Sequence, residues 1–308
     1  MRRPLSIALI LITFAFAATC RLEEASARRL YVSNIAGDDT ANGRYSESND
    51  VGGPVRSISR ALSLASAGDH IVIANTGVPY RETLSLSSGK QSGFIALPFV
   101  IEGNGAVLDG SAPIPNDAWE AVRGDLYRFR PAGGGNLQLF DHQGKPAPVK
   151  PVDRVHHRLP TLAAGEWCAH AGYAYFQCAA GKLPREHGMS YAALPVGITL
   201  YHVHDVRIVD LTVQGFQRDG INVHDGTLDI SLAGLTLRGN GRCGLAVGGS
   251  SQVIVEGCLI GDNRQAQTII DGPATLGLED CTILENPAPA MLRPRKGERV
   301  FLNGALQE

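Results

Sequence analysis

The chain contains 308 residues, and its 28 Lys and Arg against 30 Asp and Glu give a formal net charge of −2. Because neither sign of charge predominates, the composition excludes a strongly basic nucleic-acid-binding protein and a disordered acidic tail. The 36 glycines, the charged fraction of only 19% and the many Val, Ile, Leu and Thr residues are typical of an all-β chain with many tight turns.

The first 27 residues have the features of an export signal. Two arginines precede an apolar run over residues 5–18, which is too short for a convincing membrane span. Ala27 ends an A-x-A motif, so we expect signal cleavage directly after it. The alternative is lipid attachment at Cys20, although the Thr before it fits a lipoprotein box poorly. Both alternatives predict an exported protein that is secreted, periplasmic or located at the cell surface.

Residues 28–110 are predicted to form an N-terminal cap and the first coils of a solenoid. Ser57 is a helix N-cap, Gly68 is a stop signal, and apolar residues recur between them with helical spacing. One short amphipathic helix before a repeated structure is best explained as a cap that covers the open end. Asp38 and Asp39 are candidate ion ligands, but we favour a loop role for both. Strands are predicted at 71–73, 84–86, 99–101 and 106–108.

Residues 111–196 lack the repeat, and we predict that they form a β-rich insertion on the side of the solenoid. They contain strand-like runs at 126–129, 137–140 and 173–176. Cys168 and Cys178 flank a glycine and are expected to face each other across a hairpin. In an exported protein a disulfide between them is the favoured hypothesis.

Residues 197–308 are predicted to form repeated coils and a tail. Four equivalent segments begin at Leu211, Leu235, Cys258 and Cys281, at spacings of 24, 23 and 23 residues. Each coil also has two further apolar segments, and all three alternate like strands with one buried face. Such coils must stack so that each strand pairs in parallel with its equivalent one coil away. We therefore predict an all-β fold, a parallel β-helix, and the crossover rule favours the right hand. The two further segments are at 198–200, 221–223, 245–247 and 268–270, and at 206–208, 230–232, 253–255 and 276–278.

Two columns of equivalent residues have structural interpretations. Asn240, Asn263 and Asn286 are predicted to form a ladder at one corner, because asparagine tolerates a left-handed backbone and stacked amides can hydrogen-bond. Cys258 and Cys281 lie on neighbouring rungs and are predicted to pack as small apolar residues. The sequence leaves a disulfide between these two cysteines open.

The N-terminal segment, together with the later coils, resembles the secreted pectate-lyase-like right-handed β-helix proteins. The resemblance implies the fold and an exported protein that acts on or binds polysaccharide. The insertion is similar to that of some β-helix glycosidases. The superfamily contains lyases, glycosidases, epimerases and proteins of no known activity, so the resemblance does not select one activity. It is carried by Tyr31-Val32-Ser33, Gly53-Pro54, Ser57-Ile58, Ala61-Leu62, Gly68-Asp69 and Tyr80-Arg81-Glu82.

Functional residues of a solenoid are expected on its outward positions and corners, because the inward positions build the core. Equivalent positions of neighbouring coils bring polar side chains to one predicted surface strip. The candidate site residues on this strip are Arg218, Asp219, Asn222, His202, His224, Asp225, Arg242 and Asp271.

A hydrolase hypothesis assigns catalysis to Asp225 and Asp271. The two residues are separated by two rungs, which places their backbones about 10 Å apart. Side-chain lean could bring the carboxyls into the window of roughly 6.5–9.5 Å for an inverting glycosidase, whereas a retaining enzyme needs about 5 Å. Asp271 would be the acid and Asp225 the base, or the reverse, and Asp219 with Asp225 is another pair. The alternative, which we favour, is that both Asp-Gly steps are turns.

A lyase hypothesis uses the same strip differently. Arg218 and Arg242 would neutralise a uronate carboxylate, and His224 or His202 would remove the adjacent proton. Calcium is a candidate cofactor only under this hypothesis, and the sequence shows no dense acidic cluster to hold it.

The leading functional prediction is an exported protein that acts on or binds polysaccharide as a glycoside hydrolase or a polysaccharide lyase. The alternative is a non-catalytic β-helix that binds glycan or has a structural role at the cell surface. We expect a monomer without a nucleic-acid partner or a membrane span.

Overall fold

The computed structural model describes residues 27–87, 89–133, 136–153, 158–285, 287–293 and 297–307. Nearly all of the predicted export signal, including Cys20, lies outside the described residues, and so do Asn286 and residues 294–296 of the basic tail.

Nearly all of the regular elements in the described part of the chain are strands, and there is one α-helix. Three 3-10 turns lie at Gly89–Gln91, Asn116–Ala118 and Pro184–His187. In chain order the elements are β1 Arg29–Val32, α1 Ile58–Leu64, β2 His70–Ile73, β3 Leu84–Leu86, β4 Phe99–Asp109, β5 Ser111–Pro113, β6 Glu120–Arg123, β7 Leu126–Phe129, β8 Leu139–Phe140, β9 Trp167–His170, β10 Tyr173–Gln177, β11 Ser190–Ala192, β12 Ile198–Tyr201, β13 His204–Gln214, β14 Asp219–His224, β15 Leu228–Ala233, β16 Thr236–Arg238, β17 Cys243–Gly248, β18 Gln252–Glu256, β19 Leu259–Gly261, β20 Thr268–Asp271, β21 Thr275–Glu279, β22 Thr282–Ile283, β23 Met291–Leu292, β24 Arg299–Leu302 and β25 Ala305–Gln307.

Two long sheets build the solenoid, and all of their strand pairs are parallel except the last, β24 with β25. The 6-stranded sheet has the order β3-β12-β14-β17-β20-β23. The 12-stranded sheet follows β1-β2-β4-β13-β15-β18-β21-β24-β25, with β16, β19 and β22 beside this path. Each strand of a coil pairs with its equivalent in the next coil, as the repeat predicts; for example Val213 pairs with Leu237 and Leu237 with Ile260. The inward residues of all these strands form one continuous apolar core.

The predicted capping helix is confirmed. The Ser57 hydroxyl accepts a hydrogen bond from the amide of Arg60, and Ile58, Ala61 and Leu62 are buried. Two carboxylates from elsewhere also cap this helix. Asp39 accepts from the amide and hydroxyl of Ser57, and Glu82 accepts from the amides of Ile58 and Ser59. These contacts give the Asp39 loop and the Tyr80-Arg81-Glu82 motif a structural role, because they satisfy amides that have no partner within the helix.

Left-handed residues form the corners. One column contains Asp210, Gly234, Gly257, Asp280 and Asn303, whose φ angles lie between 46° and 62°. These residue types adopt that backbone most readily, which explains why the sequence keeps Gly, Asp or Asn there in every coil.

The asparagine ladder forms, but its backbone differs from the prediction. The side-chain oxygen of Asn263 accepts from the amide and from the side-chain nitrogen of Asn240, at 2.9 Å and 3.0 Å. Both asparagines are buried, and the left-handed residues are Gly239 and Asp262 directly before them. The amides therefore satisfy buried backbone groups rather than permit the turn.

The segment between β4 and β12 interrupts the coils with two small antiparallel sheets. Their orders are β6-β7-β10-β9 and β5-β11-β8, and a second apolar cluster packs around Trp167 and Phe176. The structure corrects the disulfide expected between Cys168 and Cys178, because both are free cysteines. Cys168 pairs across the hairpin with Tyr175, and Cys178 packs with Phe176 in the cluster on the other face of the sheet. Alternation along the strands therefore separates the two thiols.

Candidate functional site on the six-stranded sheet

The outer face of the 6-stranded sheet carries most of the predicted strip. Asn222 of β14 pairs in register with Thr199 of β12 and Ala246 of β17. The next outward column begins with Tyr201 and His224 and continues with Gly248 and Asp271. Because inward residues such as Ile221 and Val223 are buried in the core, the side chains between them point to solvent.

These outward side chains line an open groove of about 690 Å³. Small residues on β17 leave room at its centre, and larger side chains from the neighbouring coils form its walls. The lining residues are Arg218, Asn222, His224, Arg242, Ala246, Val247, Gly248, Gln265, Ile269, Asp271, Leu292 and Arg293. The groove therefore unites five of the eight predicted residues.

Asp219 lies beneath the groove rather than in it. Its side chain is fully buried, and its two carboxylate oxygens accept from Nε and Nη2 of Arg242 at 2.6 Å and 2.5 Å. Asn222 donates to the same carboxylate at 3.2 Å. The hydrogen bonds to Asp219 raise the pKa of Arg242, and burial raises the pKa of the adjacent Cys243 thiol. Asp219 therefore orients two groove residues without being accessible itself.

His224 contacts the carboxylate of the residue that follows it. The distance from its Nδ1 to Oδ2 of Asp225 is 3.0 Å. The ring of Tyr201, one coil earlier, lies 5.0 Å from the imidazole ring. This arrangement fixes one ring nitrogen of His224 and leaves Nε2 as the nitrogen available to a ligand.

Asp225 and His202 are corner residues. They share a left-handed column with Gly249 and Gly272, with φ angles of 55° and 51° for Asp225 and His202. Neither is among the groove-lining residues, whereas Asp271 is both the last residue of β20 and part of the groove wall. The structure thus separates the two aspartates of the hydrolase hypothesis: one lies in the groove and one at its edge.

The prediction missed some of the groove wall. Gln265 continues the column of Arg218 and Arg242, since the amides of Arg242 and Gln265 donate to the carbonyls of Arg218 and Arg242. That column was visible in the repeat spacing. The burial of Asp219 was visible too, because it alternates in phase with Ile221 and Val223. Arg293 lies in the tail that follows the last coil, and no repeat signal places it in the groove.

The comparisons with known proteins concern the fold. Residues 196–296 match the family model of the right handed beta helix region. A solved glycoside hydrolase structure is 13% identical, with 82% of this chain and 74% of that chain covered and a TM-score of 0.55. A structure of XylC with xylose is 12% identical, covers 89% of this chain and 69% of that chain, and has a TM-score of 0.47. Pectate lyase Pel9A is 12% identical, covers 83% and 54%, and has a TM-score of 0.43. No curated protein sequence matches the chain.

The chain is a right-handed parallel β-helix protein. The predicted fold and its hand are therefore confirmed. Among the residues that the structure describes, the β-helix protein has no helix of the length and apolar character required to cross a membrane.

The insertion of this β-helix protein packs beside the groove without lining it. Gly241 lies so close to the carbonyls of Asn136 and Gln217 that a Cβ atom would come within 2.4 Å of each. Glycine at this position therefore lets the insertion dock on the corner between β16 and β17. No described residue of 111–196 lines the groove, which stays open toward solvent.

The described residues of the β-helix protein do not fit the calcium ion considered under the lyase hypothesis. They contain no group of three His, Cys, Asp or Glu side chains able to hold a metal ion. Within the groove wall Asp271 is the one carboxylate, and three arginines share that wall.

Proposed function

We propose that this protein is exported and acts on an acidic polysaccharide, which it holds in the groove and cleaves by β-elimination. The observation that carries the proposal is the groove wall, in which Arg218, Arg242 and Arg293 accompany Asn222 and His224. Guanidinium groups bind carboxylates with paired, charge-assisted hydrogen bonds, so this wall suits a uronate polymer. The open outline suits a long chain, because a polymer can lie along the sheet without its end entering a cavity.

Arg218 is the strongest candidate for the carboxylate contact. Arg242 is already neutralised by the buried Asp219. Arg218 is exposed, and among the described residues no carboxylate forms an ion pair with it. Its charge is therefore available to a ligand, whereas the charge of Arg242 is largely balanced by its own partner.

In the proposed reaction Nε2 of His224 accepts the proton on the carbon next to the uronate carboxyl group. The electron pair forms a carbon–carbon double bond as the bond to the leaving sugar oxygen breaks. Arg218 stabilises the negative charge that develops on the carboxylate, and the leaving oxygen takes a proton from water in the open groove. Asp225 orients the ring of His224 through the 3.0 Å contact.

Hydrolysis is the second candidate because of one observation. Asp271 lines the groove in the same outward column as His224, two strands away. That spacing corresponds to about 10 Å between backbones, which suits a carboxylic acid and a separate base with water between them. In this reaction Asp271 would protonate the leaving oxygen and His224 would activate the water.

The first experiment is incubation of the protein with a panel of acidic and neutral polysaccharides, with calcium and with a chelator. Reducing ends and the ultraviolet absorbance of unsaturated uronates are followed together. β-Elimination raises both signals, and we expect this on an acidic polymer. Reducing ends alone would replace elimination by hydrolysis. If the migration of the folded protein is retarded by an acidic polymer that it does not cleave, the protein is a binding protein. If the folded protein interacts with none of the polymers, the proposal is overturned.

Matched variants connect the signal to the groove. His224→Ala should abolish cleavage, and Arg218→Ala should weaken binding of acidic polymers. His204 and Arg207 offer controls because both lie on β13, outside the groove, and His204 also contacts a carboxylate, that of Asp205 at 2.9 Å. His204→Ala and Arg207→Ala should retain activity. Equal losses in the groove variants and in these controls would place the reaction elsewhere.

A further inference from the structure

Two cysteines occupy one column of the solenoid on adjacent coils. Leu259 pairs with Thr282 and Ile260 with Ile283, so Cys258 and Cys281, one residue earlier, stand side by side. The amide of Thr282 donates to the carbonyl of Cys258 at 2.8 Å, which holds the two backbones in register. Each thiol donates to the carbonyl of the residue two positions before it, Cys258 to Glu256 at 3.4 Å and Cys281 to Glu279 at 3.3 Å, so the two thiols occupy equivalent positions on their coils.

The spacing of neighbouring strands suits a covalent bond between these thiols. Parallel strands lie about 4.8 Å apart, within the Cα separation of about 4.4–6.8 Å that disulfides show. Both side chains point to the same side of the sheet, because in-register pairing gives them the same orientation. Formation of the bond thus requires rotation of the side chains and no shift of either strand.

The other described cysteines lack such a partner. Cys168 and Cys178 lie in different apolar clusters, and the Cys243 thiol donates to the carboxylate of Asp219 at 3.2 Å. Within the pair the two thiols differ in access: Cys258 is 1% exposed, whereas Cys281 is half-buried. An oxidant in solution can therefore reach Cys281 first.

We propose that Cys258 and Cys281 form a disulfide that staples the last coils of the solenoid when the protein meets an external disulfide. The Cys281 thiolate attacks one sulfur of that disulfide, forms a mixed disulfide and releases the first thiolate. Cys258, as its thiolate, then attacks the sulfur of Cys281 and releases the second thiolate. The protein loses two protons and two electrons, and the external disulfide is reduced to two thiols. The neighbouring Cys258 thiol lowers the pKa of Cys281, which assists the first attack.

The bond would act at the open end of the core. β22 contains only Thr282 and Ile283, and it is the outermost strand of the series β16, β19 and β22. A covalent link from β22 to β19 would oppose fraying of this last rung by restricting its unfolded conformations.

The test compares the purified protein after treatment with oxidised glutathione or with a phosphine reductant. After alkylation, intact mass gives the number of free thiols, and a non-reducing peptide map identifies linked peptides. We expect oxidation to remove two thiols, to produce the Cys258–Cys281 peptide and to raise the Tm. Cys281→Ser should form no link, and oxidation should not change its Tm. Cys243→Ala should form the link and gain Tm on oxidation, as the wild type does. Persistent glutathione on Cys281 without the linked peptide, or a link between other cysteines, would overturn the proposal.

Discussion

The carboxylate of Asp219 lies fully buried beneath the groove and receives two hydrogen bonds from Arg242 of the next coil, at 2.6 Å and 2.5 Å. The Arg242 side chain is 26% exposed, so one partner is dry and the other reaches solvent. This pair couples the stability of two coils to the orientation of a groove residue.

The asymmetry of the pair predicts unequal effects of substitution. Arg242→Met leaves a buried carboxylate without its counter-charge and should lower the free energy of unfolding by about 3–5 kcal/mol. Asp219→Asn leaves a guanidinium that can hydrate and should cost less. Equilibrium urea unfolding of both single variants and the double variant measures the difference. Arg238→Met is the control, because Arg238 is exposed and bonds only to Gln214 among the contacts described. Equal losses for the two single variants would contradict this account.

Asp225 combines a corner position with a contact to His224, and these two roles can be separated. Asp225→Gly suits the left-handed backbone and should leave stability nearly unchanged, yet it removes the carboxylate that holds His224. We expect a fall in kcat with KM little altered. Asp210→Gly is the matched control, since Asp210 is left-handed with φ 50° and lies on the other sheet. An unaltered kcat for Asp225→Gly would make Asp225 only a turn residue.

The asparagine ladder predicts a large loss of stability when one of its side chains is truncated. Asn263→Ala removes the acceptor of both Asn240 nitrogens and the donor to the carbonyl of Leu237. Since each unsatisfied buried group costs about 1–3 kcal/mol, we expect a loss of at least about 3 kcal/mol in the free energy of unfolding. Asn303→Gly is the control, because this exposed residue accepts one hydrogen bond from the amide of Asp280 and has a left-handed backbone that glycine also adopts. Similar small losses for both variants would show that water replaces the ladder.

The lowered pKa of His187 predicts that the protein loses stability in acid. Burial lowers its pKa below the ordinary value of 6.5, and its Nε2 lies 3.4 Å from the amide of Ala179 and accepts from it. The unfolded chain therefore binds a proton more readily than the folded chain. The contribution of His187 is complete above pH 6.5 and is lost as the pH falls through the lower, folded-state pKa. His187→Gln should reduce the decrease in Tm across this window, and an unchanged decrease would assign it to other groups.

The coils, the capping helix and part of the groove follow from local pattern. Segments at Leu211, Leu235, Cys258 and Cys281 alternate with period two at nearly constant spacing, so their register is fixed by the need to bury one face. The same alternation brings Arg218, Arg242, Asn222 and His224 to one side. In these coils the alternation of every strand segment agrees with the solenoid, so the pattern was sufficient to predict the fold.

The sequence by itself determined the solenoid, the column of outward residues and the presence of an insertion. Only the tertiary structure decided that Asp219 pairs with Arg242, that Arg293 joins the groove from the tail, and that Cys168 and Cys178 lie on opposite faces of a sheet. The physical reason is that stacking in register is dictated by a repeat one coil long. The contacts made by the insertion and the tail arise between unrepeated segments, and no period in the chain records which of them meet.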